Sequence, residues 1–224
     1  MSTTTDTPAA GETATRFDDE FRKRVLACWR ELGAAVAEYT ALRGARPALA
    51  DPSAESDAER RVRAKSLTKE HLADCREDVA RFRKMLEAHD PDLAAEVEQT
   101  WVGVFLRDLV RLGIPWPQEE PPELLDPPRP NVAARGKALE VALELLHPAT
   151  PPPSLSPDED DDDGVMFEWR YHHIGTSVEI HVPTGSAPVN VWGRSPAADK
   201  GFYGTPEEVG AQLDAALTLL DAAV

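Results

Sequence analysis

Residues 165–182 have the sequence VMFEWRYHHIGTSVEIHV and carry the strongest structural signal in the chain. Apolar and polar side chains alternate in both halves of this stretch, and a period of two is typical of β-strands with one buried face. Gly175 lies between the halves, where the chain must turn. The stretch therefore predicts two adjacent antiparallel strands and excludes an all-helical protein.

The residues on the C-terminal side of this stretch complete a small β-β-β-α module over residues 164–224. Val189 to Trp192 predicts a third strand after a turn over Pro183 to Pro188. Thr205-Pro206-Glu207-Glu208 combines an N-cap, an N1 proline and a capping-box glutamate, so a helix is predicted to follow. One helix covers one face of an antiparallel sheet, and we expect the other face to meet solvent or a partner.

The chain before this module is helical in pattern. Apolar residues at spacings of three and four predict helices from Arg16 to about Leu42 and from about Thr68 to His89, with an extension of the second back to Ala58 left open. Asp90-Pro91 begins a third helix that is predicted to end at Gly113, and a fourth runs from Asn131 to Pro148. The predicted fold class is therefore α+β, with an N-terminal antiparallel helical bundle over residues 16–147 and the C-terminal module with its antiparallel sheet.

Proline and acidic residues mark the boundary between these two parts. Five prolines lie from Pro148 to Pro157, and an acidic run from Asp158 to Asp163 follows directly. Because proline removes a backbone donor and this stretch holds few apolar residues, residues 148–163 are predicted to form a linker. Residues 1–15, which are rich in threonine and alanine, are predicted to be disordered.

Composition and charge narrow the functional classes. The 224 residues hold 24 Lys and Arg against 40 Asp and Glu, a net charge of −16, and residues 91–224 alone hold 8 basic against 23 acidic side chains. This balance opposes generic binding to DNA or anionic lipid, so we expect no membrane contact and favour a basic protein partner. The sequence has no stretch typical of a membrane span or a secretory signal, and its two cysteines exclude a disulfide scaffold, so a cytoplasmic location is expected.

The open face of the predicted sheet is the strongest candidate for a site. Seven side chains should project from it: Glu168, Arg170, His172, Glu179, His181, Asn190 and Trp192. Carboxylate, imidazole and guanidinium groups at neighbouring cross-strand positions can recognise a polar partner, although opposite charges are also ordinary on a solvated sheet face. Trp192 favours partner binding, because aromatic residues are enriched in interface hot spots.

The first hypothesis is thus a non-enzymatic interaction or accessory protein that binds a protein partner through this face. Its acidic charge and small size are similar to those of antitoxin and immunity proteins, and that analogy rests on nothing else. No metal, cofactor or catalytic residue is assigned by the sequence.

A small enzyme or a metal-binding protein is the alternative. The acid–base groups would be Glu168, His172, Glu179 and His181. A metal could instead be held by His71 and Cys75, which are four residues apart on one helix, with Cys28 as a third ligand. The more ordinary interpretation is that both cysteines pack in the core.

A nucleic-acid accessory protein is the third hypothesis. Residues 60–84 hold nine basic against four acidic side chains, and Lys69, Arg76 and Arg83 recur every seven residues. Such a row more often pairs with acids of a neighbouring helix, and the chain has no helix-turn-helix pattern, so nucleic-acid binding is the least favoured of the three.

The later part of the third predicted helix is apolar on almost every face. Such a helix is either central in its bundle or part of a subunit contact. The sequence predicts that Trp101, Phe105 and Leu109 form a homo-oligomeric contact if the bundle cannot bury them.

Overall fold

Six helices and a five-stranded antiparallel sheet make up the described part of the chain, and they confirm the α+β fold class. The computed structural model describes residues 17–44, 57–114, 130–158, 164–196 and 201–222. Within these ranges the first five helices precede the strands and one helix follows them. The predicted disordered segment, residues 1–15, lies outside the described residues.

The strands lie in the sheet in chain order, and each pairs antiparallel with the next. They are β1 (Ser154–Pro157), β2 (Val165–Tyr171), β3 (Thr176–Val182), β4 (Asn190–Arg194) and β5 (Phe202–Gly204). The three predicted strands are β2, β3 and β4. The edge strands β1 and β5 were not predicted, because four and three residues are too few to show an alternating pattern.

The linker predicted over residues 148–163 is wrong for the part that the structure describes. Ser154 to Pro157 pair with Glu168 to Val165 along the edge of the sheet. The amide of Asp158 then donates to the carbonyl of Gly164 at 3.0 Å, which brings the two strands together at their turn. Proline is tolerated here because the outer side of an edge strand has no ladder partner. Residues 159–163 lie outside the described residues.

The helices follow the predicted pattern except at one position. They are α1 (Asp19–Gly44), α2 (Asp57–His89), α3 (Pro91–Val97), α4 (Trp101–Leu112), α5 (Val132–Leu145) and α6 (Pro206–Asp221). The single helix predicted from Pro91 to Gly113 is wrong, since the chain leaves the helix after Val97 and begins a new one at Trp101. The Thr100 hydroxyl accepts from the Val102 amide at 3.2 Å and so caps the second helix.

The first two helices run antiparallel, as predicted. Arg24, near the start of α1, forms an ion pair with Asp90, just after α2, at 3.0 Å. Further along α1, the Trp29 ring packs on Phe82, which lies earlier in α2, with 5.9 Å between ring centroids.

One buried cluster joins the helices to the sheet. The rings of Phe105 in α4 and Phe167 in β2 meet edge to face at 5.3 Å, and α5 and α6 also contact the sheet. Lys137 of α5 donates to three backbone carbonyls in the turn between β3 and β4, at 2.8, 2.9 and 3.3 Å. The two predicted parts therefore share a core and are also joined by polar contacts.

The condition for a homo-oligomeric contact through Trp101, Phe105 and Leu109 is not met, because the single chain buries all three residues. Their exposed fractions are 5%, 1% and 0% within the single chain. Both the helices α2 and α5 and the strands β1 and β2 lie against α4, and the apolar pattern of a helix does not show which elements cover it.

Leucine substitutions at Phe105 and Phe167 test the shared core. We expect each single substitution to lower the free energy of unfolding by about 1 kcal/mol. The double-mutant cycle should give a coupling energy of about 0.5–1.5 kcal/mol, because the two rings contact each other edge to face. Urea denaturation of the wild type, the two single variants and the double variant measures the four free energies of unfolding.

The matched control pairs Phe105→Leu with Phe202→Leu. Phe202 lies in β5, three strands from β2, so these two effects should add to within about 0.5 kcal/mol. No coupling between Phe105 and Phe167, or two separate urea transitions, would contradict the shared core.

The carboxylate of Asp90 should make the free energy of unfolding depend on pH in the acid range. Its carboxylate caps α3 by accepting from the Leu93 amide at 2.8 Å, and together with the ion pair to Arg24 this holds the pKa of Asp90 below its usual value of 3.8. A lowered folded-state pKa stabilises the protein above the unfolded pKa, and that contribution is lost as pH falls through the folded pKa. We expect Asp90→Ala to lower the free energy of unfolding by about 1 kcal/mol at pH 7, with the difference from wild type shrinking below about pH 4. Asp92→Ala, an exposed neighbour that is not the cap, is the control for urea denaturation across this pH range.

Candidate functional site

Side chains of all five strands line up on the face of the sheet that the helices leave uncovered. The residues with even numbers in β2 project from it, whereas Val165, Phe167 and Trp169 face the core. The strand register places one residue of each strand in a central row: Ser154, Glu168, Glu179, Trp192 and Tyr203. Two flanking rows hold Ser156, Met166, His181 and Asn190 on one side and Arg170, Ser177 and Arg194 on the other. We call these three rows the open face.

Six of the seven residues predicted for the site lie on the open face: Glu168, Arg170, Glu179, His181, Asn190 and Trp192. The prediction for His172 is wrong. β2 ends at Tyr171, and His172 begins a short 3-10 turn that closes at Gly175, whose φ of 67° suits glycine. His172 and His173 are both exposed on this turn, outside the rows of the sheet.

An arginine offsets the repulsion between two carboxylates at the centre of the face. Glu168 and Glu179 are directly opposite each other on β2 and β3, and like charges at such positions are destabilising. The Arg170 guanidinium forms a close ion pair with Glu168 and lies 3.8 Å from Glu179. Arg170 therefore lies closer to Glu168 than to Glu179 and offsets the negative charge of Glu168 more strongly.

His181 lies between two carboxylates. Its Nδ1 donates to Asp158 at 3.0 Å, and its Nε2 is 3.9 Å from Glu179. Asp158 is buried at the end of β1, so this hydrogen bond also holds the edge strand in place. Sequence reasoning missed Asp158 because it assigned the residue to the linker, and no local pattern marks it as a partner of β3.

Two large aromatic side chains stand exposed at one end of the central row. Trp192 on β4 is 41% exposed, and Tyr203, directly opposite it on β5, is 71% exposed. Tyr203 was not among the predicted site residues. The sequence feature that could have indicated Tyr203 is the short motif Gly201-Phe202-Tyr203-Gly204, in which two aromatic residues lie between glycines.

The structure does not assemble the metal site that the sequence offered as an alternative. Cys75 Sγ lies 3.5 Å from His71 Nε2, and both residues are buried. Among the described residues, no three His, Cys, Asp or Glu side chains are placed to hold a metal ion. Burial, together with the negative charges of Asp90 and Glu31, raises the pKa of the Cys28 thiol to about 11, which is typical of a cysteine that packs in a core.

The basic row on α2 is partly neutralised by acids. Arg83 contacts Glu87 at 3.0 Å and Glu98 at 3.8 Å, and Arg81 lies 3.8 Å from Glu77. Lys69 and Arg76 are exposed, and the side chains of residues 60–68 lie outside the part that the structure describes. Of the three residues in the row, Arg83 therefore pairs mainly within its own helix and less closely with Glu98 at the end of α3.

The chain was compared with protein-family models, curated proteins and solved structures, and none of them matches it. None of the described helices combines the length and apolar character needed to cross a membrane.

Thiol labelling tests the state of the two cysteines. Because both are buried and the pKa of Cys28 is raised, we expect native protein at pH 8 to react slowly with Ellman's reagent. Protein denatured in guanidinium chloride is the control and should release two equivalents promptly, one for each cysteine of the chain. Rapid reaction of both thiols in the native protein would show that this region of the core is open.

Proposed function

We propose that this protein is a non-enzymatic interaction protein and that its open face binds the basic surface of a protein partner. The observation that carries the proposal is the exposed pair Trp192 and Tyr203 beside the carboxylates of Glu168 and Glu179. Tryptophan and tyrosine bury large areas at little entropic cost, and they dominate binding energy where they are surrounded by polar groups.

Charge supports a basic partner. The chain has a net charge of −16, and residues 164–224, which contain β2 to β5 and α6, hold seven acidic against three basic side chains. A charge of this sign raises the association rate with cationic surfaces and disfavours anionic ones. A role of the antitoxin or immunity type remains one version of this proposal and rests on charge and size alone.

Conformational order of the polar side chains on the open face also supports binding of a partner. Arg170 and His181 contact the carboxylates, so the polar side chains are held in place before a partner arrives. Side chains that are already ordered lose less entropy on association. We propose a cytoplasmic location because both described cysteines are free thiols, as is usual in a reducing compartment.

A charge-reversal experiment tests the proposal. The full chain and the variant Glu168→Lys/Glu179→Lys are used to capture proteins from a lysate of the source cells, and each captured protein is then purified and titrated directly. We expect a basic protein that forms a stoichiometric complex with the wild type and binds the variant about tenfold more weakly or worse.

The matched control is Glu140→Lys/Glu144→Lys. These two exposed glutamates lie on α5, so the net charge changes equally while the open face is unaltered. Circular dichroism and urea denaturation show that both variants fold. Equal weakening in both variants, or no direct binder of the wild type, would overturn the proposal.

A further inference from the structure

We propose that Trp192, Tyr203 and Glu179 form a seat for an arginine side chain of the partner. This inference rests on the proposed function and specifies the chemistry of its central contact. It predicts that the partner presents arginine, rather than lysine or an uncharged residue, to the open face.

The strand register puts the three groups of the seat side by side. Trp192 on β4 is flanked by Glu179 on β3 and by Tyr203 on β5. Neighbouring strands lie about 4.8 Å apart, so a planar cation lying on the indole can reach the carboxylate of the next strand. The side chain of the partner would therefore contact an aromatic surface and a negative charge at the same time.

The indole of Trp192 is available for such a contact. In the described residues, the ring-to-ring contacts and the one cation–π contact involve other aromatic side chains. The two arginines of the open face, Arg170 and Arg194, lie in the flanking row. Trp192 is 41% exposed, and among the described residues no ring or cation stacks on it.

The core of the same protein contains the arrangement that we infer for the surface. The guanidinium of Arg135 lies 5.7 Å from the centre of the Trp29 ring and donates to the carbonyl of Leu109 at 2.8 Å. A second backbone carbonyl, that of Asn131, accepts from Arg135 at 3.4 Å, so this guanidinium lies against an indole and has two oxygen acceptors. At the open face the acceptor would be a carboxylate, which makes a stronger hydrogen bond than a carbonyl.

Glu179 retains capacity to bind a cation. Its two ionic neighbours, Arg170 and His181, are 3.8 and 3.9 Å away, at the outer limit of an ion pair, and its side chain is 22% exposed. A carboxylate offers about four acceptor positions, so Glu179 can accept from an incoming guanidinium while Arg170 stays on Glu168.

The geometry favours arginine over lysine. A guanidinium is planar and weakly hydrated, so it can stack on an indole while its N–H edge points at a carboxylate. An ammonium group is strongly hydrated and has no flat face, so it would use the negative charge and gain less from Trp192.

Peptide binding tests the seat with the full-length protein. Fluorescein-labelled octa-arginine and octa-lysine are titrated by fluorescence anisotropy at low and at physiological salt. We expect octa-arginine to bind about threefold to tenfold more tightly than octa-lysine. Quenching of tryptophan emission gives a second readout. The chain has five tryptophans, of which Trp29, Trp101 and Trp169 are buried and Trp116 lies outside the described residues, so the part of the quenching that Trp192→Leu removes is the part assigned to Trp192.

Three variants and one control separate the contributions of Trp192, Tyr203 and Glu179 to peptide binding. Trp192→Leu keeps an apolar side chain and removes the ring, so it should abolish the preference for arginine. Tyr203→Leu should reduce that preference, and Glu179→Gln should weaken binding of both peptides about threefold or more, because the variant lacks a charge. Leu72→Ala, a change of another exposed apolar residue, on α2, should leave all affinities unaltered.

Failure of the seat can be distinguished from failure of the proposed function. Equal affinities for the two peptides, unchanged by Trp192→Leu, overturn the arginine seat; if Glu168→Lys/Glu179→Lys still prevents binding of both, the basic-partner proposal stands. No binding of either peptide at low salt overturns the seat and also counts against a basic partner.

Discussion

The packing of helices against one face of the sheet determines almost everything else about this protein. The contact between Phe105 and Phe167 lies within this layer, where α4 meets β2. Once that face is buried, each strand must direct its alternate side chains away from the core. The open face is therefore a consequence of the core: backbone geometry decides which residues lie on it, and the ion pairs of Arg170 and His181 then order their side chains.

Polar contacts hold the layers together at positions where apolar packing ends. Lys137 binds the carbonyls of the turn between β3 and β4, and His181 binds Asp158 at the end of β1. Both contacts join segments that are distant in sequence or lie at a sheet edge. They stabilise the turn and the edge strand that border the open face, so the rows of side chains keep their register.

The chemistry of the open face follows from which residues the register places together. Glu168 and Glu179 repel each other, and Arg170 compensates mainly at Glu168. The ion pairs of Glu179 are long, at 3.8 and 3.9 Å, and its neighbour in the row is the exposed Trp192. A carboxylate with spare acceptors beside an open indole is suited to a cation, and this arrangement underlies both proposals.

Local pattern was sufficient to predict the fold class, most helix ends and six of the seven predicted site residues as members of one sheet face. It succeeded there because side-chain direction in a strand and the capping of a helix depend on residues a few positions apart. It failed at β1, β5, Asp158 and Tyr203, and it left open whether the chain itself or a second subunit covers the helix that contains Trp101. These features depend on contacts between segments far apart in the chain: a four-residue edge strand forms only against β2, and α4 is covered only once other helices and the sheet pack on it.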